Sequence, residues 1–352
     1  MSIVTSISSA EERAPLTHQR LVDKHGRTIT DLRVSITDRC NYRCVYCRTG
    51  NQGAVYSELS IAEYLRIVRV FVGMGIEKVR LTGGEPLLRK GLLELVYELR
   101  RLGTLVETGR GRFFDLALTT NGHLLAELAQ PLRDAGLSRV TVSMDAVCPD
   151  TFARITRVPG SFDRVVAGVR AAKRAGFDQI KVNCVLLRGF NDDEIVPFAK
   201  FSREEGVIVR FIEFMPLEEG RLWSPDTVLT LKEVEARLEV FRPLVKLPSH
   251  VASETAVRYT FDDGIGEIGI IAPVSQAFCG HCSRVRLTSD GKIRTCLFSQ
   301  SDRDLYSVMQ RGGSDAEMAA FIERTIQQKE ARHHIGELAF LKPSRSMVHI
   351  GG

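Results

Sequence analysis

The sequence has little of what a membrane protein, a secreted scaffold or a nucleic-acid-binding protein requires. No apolar run approaches the ~18 residues of a membrane span, and the N-terminus lacks the basic start and apolar core of a secretory signal. Eight cysteines in 352 residues are too few for a disulfide scaffold. One tryptophan, 7% aromatic residues and a net charge of +5 give little support to a nucleic-acid-binding surface. We therefore expect a protein of the reducing cytoplasm, with no membrane or nucleic-acid partner, whose cysteines bind metal or react.

A short apolar strand followed by a helical pattern recurs along the first two thirds of the chain. Strands that alternate with helices build a parallel sheet from right-handed βαβ units. Six such units suffice for an open barrel but fall short of the eight of a closed one. The sequence therefore predicts an α/β fold: an N-terminal extension (1–30), a partial (βα)6 barrel (31–216) and a smaller C-terminal region (217–352). The predicted strands are 31–37, 78–83, 115–121, 139–145, 179–185 and 208–215, and the clearest helices are 61–75, 123–136 and 161–176.

The predicted strands have one polar face, although strands covered on both sides by other elements are normally almost entirely apolar. Burying so many charges without partners would be costly, so we expect this face to line a wet cavity that holds an anionic ligand. The alternative is that these strands lie at a sheet edge, where their basic side chains extend into solvent. In the sixth strand Arg210 has the opposite parity to Glu213 and Met215, which indicates a bulge. The polar positions are Arg33, Ser35, Thr37, Lys78, Arg80, Thr82, Thr141, Ser143, Asp145, Lys181 and Asn183.

The alternation of strands and helices stops after Pro216, which indicates a different kind of C-terminal region. Two strand pairs each surround an Asp-Gly dipeptide, the typical sequence of a tight hairpin turn. The predicted elements are a helix at 230–240, hairpins at 257–273 and 284–298, and a charged helical tail at 303–342. Within that tail, we expect His333 and His334 to lie at a solvated helix end rather than to bind metal.

The first group of cysteines is Cys40, Cys44 and Cys47, with the spacing C-x3-C-x2-C directly after the first strand. The carboxyl end of a barrel strand is where active sites lie. Three thiolates are one fewer than the four that fill a 4Fe–4S cluster, so one iron would stay open for another ligand. The alternative is a zinc site with a distant fourth ligand, but zinc sites more often use paired C-x2-C units.

The second group is Cys279, Cys282 and Cys296, with the spacing C-x2-C-x13-C. The alternative is again zinc, with His281 as the fourth ligand, but its position next to Cys282 makes tetrahedral closure awkward. Three thiolates again indicate a cluster with one open iron. Two arginines follow on one face of a short strand, Arg284 and Arg286, and guanidinium groups suit phosphate. Their alternative role is that of a solvated hairpin edge. Of the remaining cysteines, Cys184 is expected in the core, and Cys148 is assigned no role.

The first triplet, with Tyr46 before its last cysteine, resembles the radical S-adenosylmethionine (SAM) enzymes. The stretch Thr82-Gly83-Gly84-Glu85-Pro86-Leu87 is similar to the motif with which that family binds the ammonium group of SAM. Glycines there let the backbone approach a ligand closely. The resemblance implies a partial (βα)6 barrel and a 4Fe–4S cluster whose open iron binds SAM.

Both triplets together, with matching stretches that continue to the terminal Gly351-Gly352, resemble the MoaA family of GTP 3′,8-cyclases. This resemblance implies a lyase that converts GTP to 3′,8-cyclo-7,8-dihydroguanosine 5′-triphosphate, an early step of molybdenum cofactor biosynthesis. A 5′-deoxyadenosyl radical abstracts the ribose 3′ hydrogen in that family, and a C-terminal Gly-Gly tail reaches into the active-site cavity. The implied partners are a MoaC-type cyclic pyranopterin synthase that takes the product and an electron donor such as a flavodoxin or ferredoxin. A homodimer is compatible with the sequence, which does not determine the oligomeric state.

The resemblance also implies a role for individual residues. The ligands of the first cluster would be Cys40, Cys44 and Cys47, and those of the second would be Cys279, Cys282 and Cys296. The SAM contacts would be Tyr46, Gly84, Ser143 and Met215. The GTP contacts would be Arg33, Arg80, Thr119, Lys181, Arg284 and Arg286, with Lys78 and Arg210 as further candidates. The chain departs from the family at Arg48-Thr49, where Met-Pro is usual, and that departure affects what we expect of the loop.

Two other functions are compatible with parts of the sequence. One is a radical SAM enzyme that modifies peptides and carries an auxiliary cluster, but such enzymes should have more C-terminal cysteines and lack the paired arginines. The other is a zinc-ordered nucleic-acid-binding protein, which predicts clustered basic residues with exposed aromatics.

We predict that protein purified without oxygen carries two oxygen-sensitive 4Fe–4S clusters, since each triplet supplies three thiolates. Replacing Cys40, Cys44 and Cys47 together with alanine should halve the iron and abolish SAM cleavage, because the second triplet is left intact. Iron, sulfide and zinc assays on the same samples check this. Stoichiometric zinc without sulfide would contradict both cluster assignments.

Overall fold

The computed structural model describes residues 20–47, 55–105, 115–218, 222–338 and 340–351, and it has the predicted alternation of strands and helices. The barrel strands are β1 (Asp31–Ser35), β2 (Lys78–Thr82), β3 (Asp115–Thr120), β4 (Arg139–Ser143), β5 (Lys181–Leu186) and β6 (Ile208–Glu213). The barrel helices are α1 (Ile61–Gly73), α2 (Leu92–Leu105), α3 (Leu125–Asp134), α4 (Pro149–Thr156), α5 (Phe162–Arg174) and α6 (Ile195–Glu205). Each predicted strand and helix of the barrel is confirmed, with its ends displaced by two residues at most.

The C-terminal region contains a helix, two hairpins and a short helical tail. Its elements are α7 (Leu231–Phe241), β7 (Leu244–Leu247), β8 (Ala256–Phe261), β9 (Glu267–Ile271), β10 (Arg284–Leu287), β11 (Lys292–Arg294), β12 (Arg303–Asp304), α8 (Tyr306–Gln310), α9 (Asp315–Ile326) and α10 (Met347–Ile350). Both predicted hairpins are confirmed, as the antiparallel pairs β8–β9 and β10–β11. The helical tail is shorter than predicted because α9 ends at Ile326. His333 lies beyond it, half-buried beside the Phe298 ring at a centroid distance of 5.4 Å.

One sheet of twelve strands joins the two regions, in the order β12-β11-β10-β1-β2-β3-β4-β5-β6-β9-β8-β7. The barrel's first and last strands, β1 and β6, do not pair with each other. Instead β10 runs parallel to β1 and β9 runs parallel to β6, so C-terminal strands extend the barrel sheet at both edges. The boundary near residue 216 stays a prediction, since strands from both sides of it share this sheet.

The polar faces lie in the interior of this sheet. Strands β1 to β6 each have a neighbour on both sides, so the edge-strand alternative is wrong. The opposite face of the strands packs beneath the helices, with Leu32, Val34 and Phe211 essentially inaccessible to solvent. Of the chain's other cysteines, Cys184 lies in this core, as predicted, and Cys148 is exposed.

The bulge expected in the sixth strand is absent. The register between β5 and β6 is continuous, and it pairs Asn183 with Arg210 and Leu186 with Glu213. Arg210 therefore shares the polar face, and Glu213 lies on the other face, where it is buried. There the Glu213 carboxylate accepts hydrogen bonds from the backbone nitrogens of Leu231 (3.0 Å) and Val274 (2.8 Å). A buried acceptor, rather than a bulge, explains the polar residue on the apolar face.

The described part of the chain contains no helix with the length and hydropathy of a membrane span. Several helices instead begin at a capping box, in which a hydroxyl and a glutamate satisfy backbone N–H groups reciprocally. Ser60 and Glu63 form one at the start of α1, and Thr230 and Glu233 form another at the start of α7. These caps fix where the two helices begin.

We predict that Glu213→Ala lowers the free energy of unfolding by about 2–4 kcal/mol, because buried backbone donors lose their acceptor. Urea unfolding followed by circular dichroism measures this. The matched control is Glu204→Ala, at an exposed position of α6, which should change stability by less than ~0.5 kcal/mol. Equal stability of the two variants would contradict the bridging role of Glu213.

Candidate active site

The first cysteine triplet lies in the loop that follows the carboxyl end of β1. All three side chains, those of Cys40, Cys44 and Cys47, are half-buried. Burial together with the negative groups of Asp145, Cys47 and Cys40 raises the pKa of the Cys44 thiol well above its usual value. Three thiols in one loop are the kind of donor set that holds an iron–sulfur cluster, so the residues present fit such a cluster.

The Gly83-Gly84 pair lets this cysteine loop lie directly against the end of β2. The Gly84 nitrogen donates to the Thr37 carbonyl (2.8 Å), and the Glu85 nitrogen donates to the Arg39 carbonyl (2.7 Å). A Cβ atom at Gly84 would stand only 2.2 Å from the Arg39 oxygen. These glycines were predicted to let a ligand approach the backbone. In the structure they also leave room for the backbone of the cysteine loop at Thr37 and Arg39.

Glu85, in the same motif, is buried and joins the ends of two strands. Its carboxylate accepts hydrogen bonds from the Thr120 hydroxyl (2.7 Å) and from the backbone nitrogens of Asn121 (2.7 Å) and Leu87 (2.9 Å). Burial raises the pKa of Glu85 to about 7, although these hydrogen bonds favour the charged form. This role was not predicted from the sequence, where the available signal is the polar pair Thr120-Asn121 at the carboxyl end of β3.

The residues expected to contact SAM come from different parts of the barrel. The Tyr46 hydroxyl donates to the Asp145 carboxylate (2.7 Å), whose pKa burial raises to about 6. Ser143 is half-buried at the carboxyl end of β4. Met215 follows β6 and packs against the same small apolar cluster as Cys296. Tyr46, Ser143 and Met215 thus all lie at the carboxyl ends of barrel strands, as the first triplet does, and Met215 also packs against the cluster that Cys296 contacts.

Three arginines form a row across neighbouring parallel strands. Arg33 of β1 pairs in register with Arg286 of β10 on one side and with Arg80 of β2 on the other. Paired strands are about 4.8 Å apart, so the three guanidinium groups are close neighbours on one face. Arg284 lies one step lower on β10, opposite Asp31.

Among the described residues, no carboxylate forms a direct ion pair with the arginines of this row. The Arg33 Nε is buried without a hydrogen-bond partner in the described part of the chain. Arg80 donates to two hydroxyls, those of Thr119 (3.1 Å) and Thr141 (3.2 Å), rather than to a carboxylate. Burial lowers the pKa of Arg33 to about 10; the nearby charge of Asp31 opposes this shift, and the charges of Arg284 and Arg80 add to it. An orphaned, buried donor among like charges fits a polyanionic ligand.

The same pattern continues on the far side of the barrel. Arg210 donates through its Nε to the Asn183 side-chain oxygen (2.9 Å), again a neutral partner. Burial and the nearby arginines lower its pKa to about 9. For Lys181, burial and then Arg210 lower the pKa to about 8. The predicted GTP contacts therefore share one positively charged face, as the strand alternation indicated.

The second triplet lies at the other end of the strands. Cys279 begins a 3-10 turn, Cys282 directly precedes the pair Ser283-Arg284, and Cys296 follows β11, so all three lie near the amino end of β10. Because β10 is parallel to β1, the two triplets flank the arginine row from opposite ends. A five-residue strand spans about 16 Å, which leaves room for a substrate between the two triplets.

The surroundings of Cys282 suit a thiolate ligand. Burial raises its pKa, but the opposing charges of Arg284 and Lys329 outweigh burial and lower it to about 6. His281, the fourth ligand of the zinc alternative, is exposed. Across the described residues, no three His, Cys, Asp or Glu side chains are arranged around a single metal ion.

The C-terminal tail enters the barrel beside the arginine row. The Arg286 guanidinium donates to the Gly351 carbonyl. A Cβ atom at Gly351 would lie 2.6 Å from both the Ser35 hydroxyl and a Thr82 methyl group. Gly352, the last residue, lies outside the described residues, as do Arg48 and Thr49 of the first-cluster loop.

Arg345 holds this tail in place. This role was not predicted from the sequence. Its guanidinium pairs with both oxygens of Asp290 (2.9 Å each) and with Asp302 (2.6 Å). It also stacks on the Tyr56 ring, 4.0 Å from the ring centroid. These partners come from the loop before α1, the β10–β11 turn and the segment before β12, so one side chain ties the tail to both halves of the site.

Comparison with known proteins assigns both regions of the chain. Residues 34–202 match the Radical SAM superfamily, and residues 207–335 match Molybdenum Cofactor Synthesis C. The GTP 3′,8-cyclase of Syntrophomonas wolfei is 38% identical over 335 residues, which are 94% of this chain and 100% of that protein. The GTP 3′,8-cyclase of Moorella thermoacetica is 40% identical over 94% of this chain and 99% of its own. That of Acidothermus cellulolyticus is 42% identical over 88% and 85% respectively.

The fold is similar to that of a solved structure with low sequence identity. The crystal structure of Streptococcus suis SuiB bound to S-adenosylmethionine has a TM-score of 0.58 at 12% identity, covering 87% of this chain and 69% of that one. Membership of the radical SAM superfamily implies a 4Fe–4S cluster and SAM. Because relatives at about 40% identity span nearly all of the sequence, this chain is a radical SAM enzyme and belongs to the GTP 3′,8-cyclase (MoaA) family of molybdenum cofactor biosynthesis.

Proposed function

We propose that this chain binds GTP between two 4Fe–4S clusters and converts it to 3′,8-cyclo-7,8-dihydroguanosine 5′-triphosphate. The observation that carries the proposal is the row of three arginines, Arg286 buried and the other two half-buried, which a cysteine triplet flanks at each end of the strands. This arrangement supports a polyanionic substrate held between two redox-active groups. A peptide substrate, the alternative for a radical SAM enzyme with an auxiliary cluster, would not require so much unpaired positive charge.

The chain's own residues bind and orient the substrate in this proposal. Arg33, Arg80 and Arg286 would hold the triphosphate, since guanidinium groups form charge-assisted, bidentate hydrogen bonds with phosphate oxygens. Thr119 of β3, Lys181 of β5 and Arg284 of β10 would complete the GTP contacts. When bound, the first cluster and SAM supply the 5′-deoxyadenosyl radical chemistry that removes the ribose 3′ hydrogen.

The ligand assignments follow the two triplets. Cys40, Cys44 and Cys47 would hold the first cluster, with Tyr46, Gly84, Ser143 and Met215 around SAM. Cys279, Cys282 and Cys296 would hold the second cluster, whose open iron would hold the guanine. The lowered pKa of the Cys282 thiol supports this assignment, because the thiolate is the form that binds iron.

The family also indicates the partners. The product would pass to a MoaC-type cyclic pyranopterin synthase, and a small redox protein such as a flavodoxin or ferredoxin would supply the electron. We place this chemistry in the cytoplasm, where thiols stay reduced.

We predict that Arg33→Met weakens GTP binding by about 10–100-fold, because a charged hydrogen bond to phosphate contributes about 1.5–3 kcal/mol. Binding of guanosine, which has no phosphate, should change little. Equilibrium binding of both ligands to the cluster-loaded variant measures the difference. Arg188→Met, at the exposed pair with Glu233, is the matched control. Equal losses for GTP and guanosine would contradict a phosphate contact.

We predict that Gly351→Ala strongly lowers formation of the cyclised nucleotide while both clusters stay bound. The added methyl group would collide with Ser35 and Thr82, and the φ of +77° at Gly351 disfavours any side chain. The cyclised nucleotide and 5′-deoxyadenosine are measured from the same reaction. Gly312→Ala is the control, since it has a similar φ of +78° in open space. Full activity of the Gly351 variant would show that the tail is dispensable.

A further inference from the structure

A short segment after α9 contacts the surroundings of the second triplet. The Lys329 ammonium donates to the carbonyl of Arg284 (2.9 Å), two residues after Cys282, and to the carbonyl of Thr295, next to Cys296. The neighbouring Glu330 accepts hydrogen bonds from the hydroxyls of Thr295 (2.7 Å) and Ser299 (2.6 Å). Two adjacent residues, Lys329 and Glu330, therefore form hydrogen bonds with β10, which follows Cys282, and with the segment around Cys296.

The third cysteine is reached from the N-terminal end of the chain. Arg27 donates to the carbonyls of Cys279 (2.8 Å) and Ala331 (2.9 Å), and to that of Glu330 (2.6 Å). Arg27 is itself buried against Asp23, through a hydrogen bond of 2.6 Å. Residues 329–331 are thus linked by hydrogen bonds, directly or through Arg27, to the backbone beside all three cysteines.

Lys329 is unusual in its burial and in its partners. Only 2% of its surface is exposed, and among the described residues no carboxylate pairs with its ammonium group. A buried charge with neutral partners only is destabilising unless opposite charge lies nearby. Both carbonyls that hold its ammonium group lie close to the triplet in the sequence, one next to Cys296 and one two residues from Cys282. Thiolates that bind a cluster at these positions would supply negative charge near Lys329.

We infer that Lys329 is a positioning residue of the second cluster, which compensates the charge of its thiolates and raises its reduction potential. The inference rests on the proposed function, which assigns a cluster to these cysteines. Reduction adds negative charge to a cluster, so a fixed cation nearby stabilises the reduced form. Net charge and hydrogen bonding around the sulfurs are the features by which proteins set such potentials.

A lysine that only donated hydrogen bonds to two carbonyl groups would give a different pattern of reduction potentials among its variants. Lys329→Gln keeps a hydrogen-bond donor and removes the charge, and Lys329→Met removes both. Lys329→Arg keeps the charge. The charge-compensating role predicts a lower potential in the glutamine and methionine variants and a near-parental potential in the arginine variant. A purely structural role predicts that glutamine behaves like the parent.

The experiment uses the full chain, reconstituted without oxygen, in a Cys40→Ala, Cys44→Ala, Cys47→Ala background that leaves only the second cluster. Iron and sulfide content is measured first, and the potential is then titrated by electron paramagnetic resonance. Lys232→Met, at an exposed position of α7, is the matched control and should leave the potential unchanged. Thermal unfolding of each variant reports whether the fold is retained.

A lower potential in Lys329→Gln, or loss of its iron and sulfide with an unchanged thermal midpoint, supports the inference. An unchanged potential in Lys329→Gln at full cluster content overturns it and leaves the proposed function intact. A background protein without sulfide overturns the second cluster itself, and the inference with it. A thermal midpoint that falls equally in all three Lys329 variants, with an unchanged potential in those that bind the cluster, also overturns it, because it shows a structural role only.

Discussion

The structure depends on positive charge that the barrel concentrates and does not neutralise. Arg33, Arg80 and Arg286 stand side by side on three paired strands, where like charges repel and burial removes the water that would screen them. Their hydrogen bonds go to hydroxyls and to a backbone carbonyl, not to carboxylates. Such a surface is stable only when water or an anion fills the cavity. The same charge is the feature on which the proposed binding of a triphosphate depends.

The open barrel explains how the second triplet reaches this charge. Six parallel strands do not close, so β1 and β6 each leave an unpaired edge, and exposed edges are liable to unwanted pairing. The C-terminal strands β10 and β9 occupy those edges in parallel register. This pairing satisfies the backbone of β1, and it also sets Arg286 beside Arg33 and brings Cys282 to the amino end of the sheet. One set of backbone hydrogen bonds thus both completes the fold and assembles the site.

Much of this arrangement could be predicted from the sequence, because it follows from local patterns. The strand alternation placed the polar residues on one face, and the two Asp-Gly turns identified both hairpins. Contacts between distant parts of the chain could not be predicted, since no local pattern encodes them. The parallel pairing of β10 with β1 is one such contact, and the clamp of Arg345 on Asp290 is another. The bulge expected at Glu213 was wrong because the acceptor role of a buried carboxylate depends on Val274, far along the chain.

The two arginines of β10 have different neighbours because they lie at different positions along the strand, although their spacing in the sequence does not distinguish them. Arg284 and Arg286 point to the same face and, in the sequence, are equally suited to phosphate. In the structure Arg284 stacks on the Phe278 ring at 4.9 Å, and its charge lowers the pKa of the Cys282 thiol. Arg286 lies one step further along the strand, beside Arg33, where the neighbouring groups are positive and the tail carbonyl is its partner.

The positions of Arg284 and Arg286 set the order of charges along the cavity. From the amino end of β10 towards its carboxyl end, Cys282 comes first, then Arg284, and then Arg286 of the arginine row. The first triplet lies beyond that row. In the proposed function, a ligand with an anionic end and a neutral end would bind along this order of charges in one orientation. Its phosphates would face Arg33 and Arg286, and its other end would face the second triplet. The orientation would then depend on which positive charges lie beside the cysteines, not on the number of arginines.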